Sequence, residues 1–513
     1  MNDETYRLSR RSFLAKGTCG TMGIASIVNT LSQLQLVNSA AASTLGSVST
    51  DYKALVCIFL RGGVDMNNVL IPVGAHPQAQ GYANDRGVVG VPNGVVSTYN
   101  ASGADETIAL ADTPDPFGLH PSMTNLASMY NVGEAGFVTN VGTLAEPTTR
   151  ETYNSSALPS QLFSHSDQVT EWMSSIADQA YTSGWGARVA DLFHDTWNVN
   201  SASSMLISAA GNNQFQNGST TVPQYSVTTT GAVSLSGFGT DYSNALDASG
   251  NIRNDNTHGK RLRALEKIMA YSHSNLIGDS YASVVKRARE TEAVINAATS
   301  SANDIGLDLD TIFDGYVSST NSLAEEMKSI ARLIAGRSHL GNNRQIFFVD
   351  LGGFDNHQDI NGDLGTLLTQ VDEAIGGFNA AMKQLDTLDS DFSYDMVTSF
   401  QASDFNRTWT PNGDDPGSAG TDHAWGSHTF LFGGAVNGKA LHGTFPELAV
   451  GGAHDVPSGS RGRWIPTTSV DQYCALLANW FGVPANSSEM ATIFPNLHRF
   501  DDPFTTLDLF KAP

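Results

Sequence analysis

Three apolar runs, each ending in a loop that carries an aspartate, constrain this chain more than any other feature. Ala54 to Leu60 leads into Arg61-Gly62-Gly63-Val64-Asp65-Met66-Asn67-Asn68, and Gln345 to Asp350 leads into Gly352-Gly353-Phe354-Asp355-Asn356-His357. Tyr394 to Phe400 leads into Gln401-Ala402-Ser403-Asp404-Phe405-Asn406-Arg407-Thr408. Short uninterrupted apolar runs suit strands buried on both faces, the pattern of a parallel sheet covered by helices. Between the second and third runs, Leu364, Leu367, Leu368, Val371, Ala374, Phe378, Met382 and Leu385 keep helical spacing. Strand, loop, helix and strand then predict a parallel crossover. In an open sheet of this kind ligands bind at the carboxyl edge, where these loops would lie.

A fourth stretch, Gly420-Thr421-Asp422-His423-Ala424-Trp425-Gly426-Ser427-His428, runs into the apolar Thr429-Phe430-Leu431-Phe432. Asp355 and His357, two residues apart, share a side at a strand end, whereas the adjacent Asp422 and His423 need a loop conformation to face one ion. Zn²⁺ accepts carboxylate oxygen and imidazole nitrogen at roughly 2.0–2.2 Å. Two ions about 3.5–4 Å apart can clamp the attacking and leaving oxygens of a phosphoryl transfer. A single Asp in a glycine-rich turn is commonly an Asx turn or a helix cap. Recurrence is what points to metal chemistry: Asp65, Asp355, Asp404 and the Asp422/His423/His428 group all accompany apolar strands.

Leu162 to Met173 predicts a helix that Ser164 or Ser166 caps, with Asp167 or Glu171 in its first turns. A hydroxyl at such a place is either a cap or a nucleophile whose alkoxide the helix dipole favours. His165 is expected to point elsewhere on the helix, so a metal would have to activate Ser164.

The chain has 513 residues, 28 Lys+Arg against 51 Asp+Glu and a formal charge of -23, which opposes non-specific binding to nucleic acid or anionic lipid. An anionic substrate then needs a local cation. Ser9-Arg10-Arg11-Ser12-Phe13-Leu14-Ala15-Lys16, a weakly apolar stretch to Leu36 and Asn38-Ser39-Ala40-Ala41-Ala42 read as a twin-arginine export signal over residues 1–42. Its polar residues make it too wet for a stable membrane span. The expected location is periplasmic or secreted, with the Tat export machinery as a partner. One α/β domain is expected over 43–513, with an irregular Ser/Thr/Asn-rich surface insertion at about 211–257. Cys57 and Cys474 are expected to be buried thiols.

The motifs resemble the Tat-exported bacterial family called domain of unknown function 1501, itself similar to the alkaline phosphatase and sulfatase superfamily. The matching pieces are Phe59 to Asn68, Gly118-Leu119-His120-Pro121, Ser164 to Gln168, Gly184-Trp185-Gly186-Ala187-Arg188, Gly352 to His357, Ser403 to Thr408 and Gly420 to Gly426. The resemblance implies an alkaline-phosphatase-like α/β fold, a mainly parallel sheet sandwiched by helices. It implies one or two divalent ions, zinc expected, with ligands drawn from Asp65, Asp355, His357, Asp404, Asp422, His423 and His428. It also implies Ser164 as nucleophile, Arg407 or Arg188 as an anion clamp, and an anionic small-molecule or polymeric ester as substrate.

Two departures stand out. The pair is Asp-x-His, and Asp404 is followed by Phe405 where the superfamily has His. The Cys/Ser-x-Pro-x-Arg sulfatase signature is missing, which argues against a formylglycine sulfatase. The competing expectation is a non-catalytic exported binding or envelope-scaffold protein that keeps the fold.

Overall fold

The computed structural model describes residues 51–512 except 199–202, 220, 230, 233–239, 248–251, 270–291, 293, 301–304 and 460. The export segment expected over 1–42, and most of the helix expected over 281–297, lie outside the described residues.

Thirteen strands are described: Lys53–Leu60 (β1), Leu70–Pro72 (β2), Ile108–Ala109 (β3), Phe117–Leu119 (β4), Ala135–Gly142 (β5), Leu206–Ser208 (β6), Tyr225–Thr228 (β7), Gly231–Ala232 (β8), Arg344–Leu351 (β9), Val397–Ser403 (β10), Ser427–Gly433 (β11), Leu441–His442 (β12) and Thr468–Ser469 (β13). The main sheet runs β12-β5-β11-β10-β1-β9-β6-β7-β8, and β13 also pairs with β5. β12 and β13 share one edge of β5, paired at Phe137–Val138 and Val141–Gly142. The sheet is mainly parallel; β11 opposes β10 and β5, and β8 opposes β7. β2, β4 and β3 form a small separate antiparallel sheet.

β1 sits between β9 and β10, parallel to both, with Leu60 level with Leu351 and Ser403. The three motif loops therefore leave the same edge side by side. Because β11 is antiparallel, the Asp422 to Gly426 stretch before it arrives at that edge too.

Every residue of β1 after Lys53 is buried, as expected of a central parallel strand. Ala54, Val56, Ile58 and Leu60 join the core beneath Ser322–Ala335 and Ile360–Leu388, while Phe59 stacks on Phe348 toward the opposite layer. In that second layer Phe400 packs against Trp185 and Tyr473, which lie in the helices Trp185–Trp197 and Val470–Phe481. Cys57 and Cys474 are both buried and free. Among the described residues no helix is long and apolar enough to cross a membrane.

The third run is shifted from its expected bounds: Tyr394–Met396 forms a 3-10 turn capped by Ser393, and the strand is Val397–Ser403. The described residues of the region about 211–257 include regular elements. Tyr225–Thr228 pairs in parallel with β6 and so extends the main sheet, and the helices Thr240–Ala245 and Thr257–Met269 share the apolar contacts of Tyr242, Ala245 and Leu262.

Candidate metal centre

Close backbone approach brings the four loops together. Gly62 (φ +112°) lies so near the β9 loop that a Cβ would fall 2.5 Å from the Asp355 amide nitrogen. At Gly420 a Cβ would fall 2.2 Å from the carbonyl carbon of His357. Only glycine permits either approach. Backbone bonds then lace the loops: Phe354 N–H donates to Arg61 O, Thr421 N–H to Asn356 O, Thr408 N–H to Asp422 O and Ala424 N–H to Asn406 O.

At the centre stand His165, the first residue of helix His165–Ser174, with Asp355 and His423, and His357 against the last two. Asp355 Oδ1 is 3.3 Å from His165 Nε2, 3.3 Å from His423 Nε2 and 3.0 Å from His357 Nε2. His423 Nε2 is 3.1 Å from His165 Nε2 and 2.9 Å from His357 Nε2. Three donor atoms thus lie within 4.8 Å of one another from two loops and a helix start, and His357 Nε2 joins them on the Asp355 and His423 side.

The opposite ring nitrogens show which form the imidazoles take. His165 Nδ1 is 2.7 Å from Asp404 Oδ2, His357 Nδ1 is 3.0 Å from Asp422 Oδ1, and His423 Nδ1 is 2.8 Å from the Phe163 carbonyl. A carbonyl or carboxylate calls for a donor, so each Nδ1 carries the proton and each neutral Nε2 presents a lone pair. Three lone pairs and a carboxylate oxygen facing one another at these distances repel unless a cation lies among them. The separations among His165, His423 and Asp355, 3.1–3.3 Å, match the edge of about 3.3 Å between N and O ligands of a tetrahedral zinc, and His357 Nε2 lies against the Asp355 and His423 side of that triangle. Carboxylate or carbonyl partners behind each His are the usual support of a metal-binding imidazole. The donor set therefore fits a divalent ion.

Burial lowers the pKa of His423, which favours its neutral form, whereas the Asp404 hydrogen bond raises that of His165, so there a metal ion would have to displace a proton. Burial alone would raise the Asp355 carboxyl, but the Arg407 hydrogen bond and charge hold it below the usual range. Asp422 is held down in the same way by Arg461 and His357. The side chains of His165, His357, His423 and Asp355 remain 32, 42, 25 and 45% exposed, so the centre opens to solvent. Phe405 forms an apolar wall, its ring 4.7 Å from that of His165 and 4.8 Å from that of His423.

The expected ligands divide into groups. Asp355 and His423 are in the cluster, and His357 lies against both of them. Asp404 and Asp422 stand behind it, each holding an imidazole. Asp65 lies outside it: its carboxylate pairs with Arg86, both side chains fully buried, and Arg86 also donates to Asn68 and to the Thr408 and Trp409 carbonyls. His428 is buried against the Phe445 ring 5.0 Å away, its Nδ1 facing the Asn140 amide, and burial drives its pKa down to about 3.

Arg407 is buried and donates to Asp355 Oδ1 (2.6 Å), Gly62 O and both oxygens of Thr421, so it positions Asp355. Among the described residues Arg188 donates to Ser174, Ser183 and Ile493. Both guanidinia are thus engaged by protein acceptors among the described residues. Ser164 Oγ donates to Asp167 Oδ2 at 2.6 Å and caps no backbone amide. His165, expected to point away, is the central residue that sequence reasoning missed. Its one signal was its place at a helix start beside Ser164, where a side chain can turn back over the sheet edge.

No curated protein matches this chain. Among solved structures, one described as the crystal structure of Ps i-CgsB in complex with k-i-k-neocarrahexaose is similar at 10% identity, over 88% of this chain and 78% of that chain. Its TM-score of 0.30 is too low to bear on fold or function. The model of the family described as "Protein of unknown function (DUF1501)" matches residues 52–458, and the chain belongs to that family.

Proposed function

We propose that this protein is an exported, metal-dependent hydrolase of phosphate or related esters, working in the periplasm or outside the cell on an alkaline-phosphatase-like scaffold. The carrying observation is the convergence of His165 Nε2, His423 Nε2 and Asp355 Oδ1 within 4.8 Å of one another, with His357 Nε2 against the last two and every Nδ1 held by an acceptor. These four residues would hold one divalent ion, zinc by donor chemistry. When bound, it supplies a Lewis acid that polarises the ester group.

The residues around it prepare the rest. Asp404, Asp422 and the Phe163 carbonyl fix the imidazole tautomers, Arg407 keeps Asp355 ionised and aimed, and Phe405 dries one wall. Ser164, one residue from His165, is the nucleophile candidate; its hydroxyl proton already points to the Asp167 carboxylate, which can accept it. The first-turn amides of the same helix face that position with the positive end of the helix dipole.

A second reading has one observation in its favour. Asp65, expected as a ligand, is locked to Arg86, so the set for a second ion is not assembled, as in a relative that keeps the fold for binding or scaffolding. Zinc-loaded protein assayed on phosphomonoesters, phosphodiesters and sulfate esters separates the two. Turnover that disappears on chelation supports the hydrolase; a metal-replete protein inert on all three supports the scaffold.

A further inference from the structure

The two arginines that the motifs offered for anion binding are both committed, but a third is free. Arg463 lies beyond the family match, in a loop held by its own backbone: its amide donates to Asp455 Oδ1 at 2.9 Å, its carbonyl accepts from Val456, and Asp455 bridges Trp464. Its side chain lies over the Phe163 ring with Cζ 4.6 Å from the centroid. Phe163 is the residue whose carbonyl fixes His423. The guanidinium makes no hydrogen bond or ion pair among the described residues, and its Nε is buried without a partner.

The nearby carboxylates are already engaged. Asp422 is taken by Arg461 and His357, and Asp455 by the amides of Gly451 and Arg463. Burial, then the Arg461 charge, lowers the Arg463 pKa, with Asp422, Tyr153 and Asp455 acting the other way. A guanidinium with an ordinary value above about 12 remains charged under such influences.

A buried or half-buried cation without a partner is costly and rare in a folded chain. In a chain of formal charge -23 it is rarer still. The local charge balance says what it awaits. Asp355, Asp404 and Asp422 against Arg407 and Arg461 leave one negative charge; a divalent ion makes the centre positive by one, and Arg463 adds another.

The geometry points to Arg463 as the oxyanion-binding residue beside the metal centre, selecting a dianionic tetrahedral group such as a phosphate monoester and disfavouring a neutral ester. This rests on the hydrolase reading for the role of the site, though the binding itself is separable from turnover. The Phe163 ring carries the guanidinium at cation–π distance, and its two terminal amino groups can make the paired N–H bonds that suit two oxygens of one phosphate.

The experiment titrates zinc-loaded wild type, Arg463→Gln and Arg463→Lys with inorganic phosphate by isothermal calorimetry, with zinc content and Tm measured on the same samples. Wild type is expected to bind, Arg463→Gln to bind at least about ten-fold more weakly with zinc content unchanged, and Arg463→Lys to fall between, because an ammonium keeps the charge but not the paired donors. Equal affinity in wild type and Arg463→Gln overturns the assignment, as does failure of zinc-loaded wild type to bind phosphate. If Arg463→Gln melts early, Arg463→Lys decides: unchanged affinity there overturns the paired-donor role. Phosphate bound through Arg463 by a protein that hydrolyses no ester keeps this inference and sinks the hydrolase; turnover of phosphomonoesters unaltered in Arg463→Gln does the reverse.

Discussion

Asp404 Oδ2 lies 2.7 Å from His165 Nδ1, tying the end of β10 to the first residue of a helix 239 residues earlier in the chain. Asp404 Oδ1 meanwhile accepts from the Gly62 amide, so one carboxylate joins two motif loops to the helix. Its function is to aim an imidazole. Asp404→Asn is expected to weaken zinc affinity by about 10- to 100-fold, and His165→Ala to weaken it further, both read by competition with a chromophoric chelator. Equal affinity in wild type and His165→Ala would remove His165 from the ligand set.

Asp65 tests the division between metal ligands and scaffold. Breaking a buried ion pair by removing one partner costs roughly 3–5 kcal/mol, because the other charge is left without compensation. Asp65→Ala should therefore lose stability of that order in denaturant titration, with zinc stoichiometry retained in whatever fraction folds. A variant that folds normally but loses zinc would place Asp65 among the ligands after all.

Two buried acids outside the proposed ligand set give a pH dependence. Burial pushes the Asp471 pKa up to about 7 and that of Glu171 up to about 8, and each has one oxygen without a partner. Both folded values lie above the unfolded ones, near 4. The folded protein then binds more protons across that interval, so stability is highest below about pH 4 with respect to these groups, falls as pH rises through about 7 and 8, and is flat above. Asp471→Asn should leave the metal-free protein's Tm unchanged at the acid end and raise it at pH 8. A lower Tm at pH 8 would mean that the ionised carboxylate is stabilising.

Ser164 separates cap from nucleophile. Its Oγ bonds the Asp167 side chain, with no backbone amide satisfied. Ser164→Ala is then expected to cost less than the ~1 kcal/mol of a lost cap, to keep full zinc content, and to abolish ester turnover. Wild-type turnover in that variant moves the nucleophile to Ser166 or to water.

The parts of the fold legible in the sequence are those where a local pattern suffices. β1, β9 and β10 announce themselves as apolar runs, and the glycines after them mark the close approaches that join their loops. Asp355, His357 and His423 follow from their places at those loops. Partnerships across the chain are another matter. Nothing near Asp65 signals Arg86, and nothing near His165 signals Asp404, so an Asp after a strand reads alike whether it binds an ion, supports an imidazole or neutralises a guanidinium. Tyr225–Thr228 sits in a polar stretch because it lies near the sheet's margin, beside the short β6 and β8, where one side needs no apolar cover.

The claim on which the rest depends is that His165, Asp355, His357 and His423 hold one divalent ion. Its most direct measurement is zinc content after equilibrium dialysis of wild type and of the His165→Ala/His423→Ala double variant, with X-ray absorption on the wild type to count nitrogen and oxygen neighbours. One zinc per chain with imidazole back-scattering in the wild type, and loss of that zinc in a folded double variant, is the predicted result. A wild type that binds no zinc, or a double variant that binds it equally well, would contradict the account.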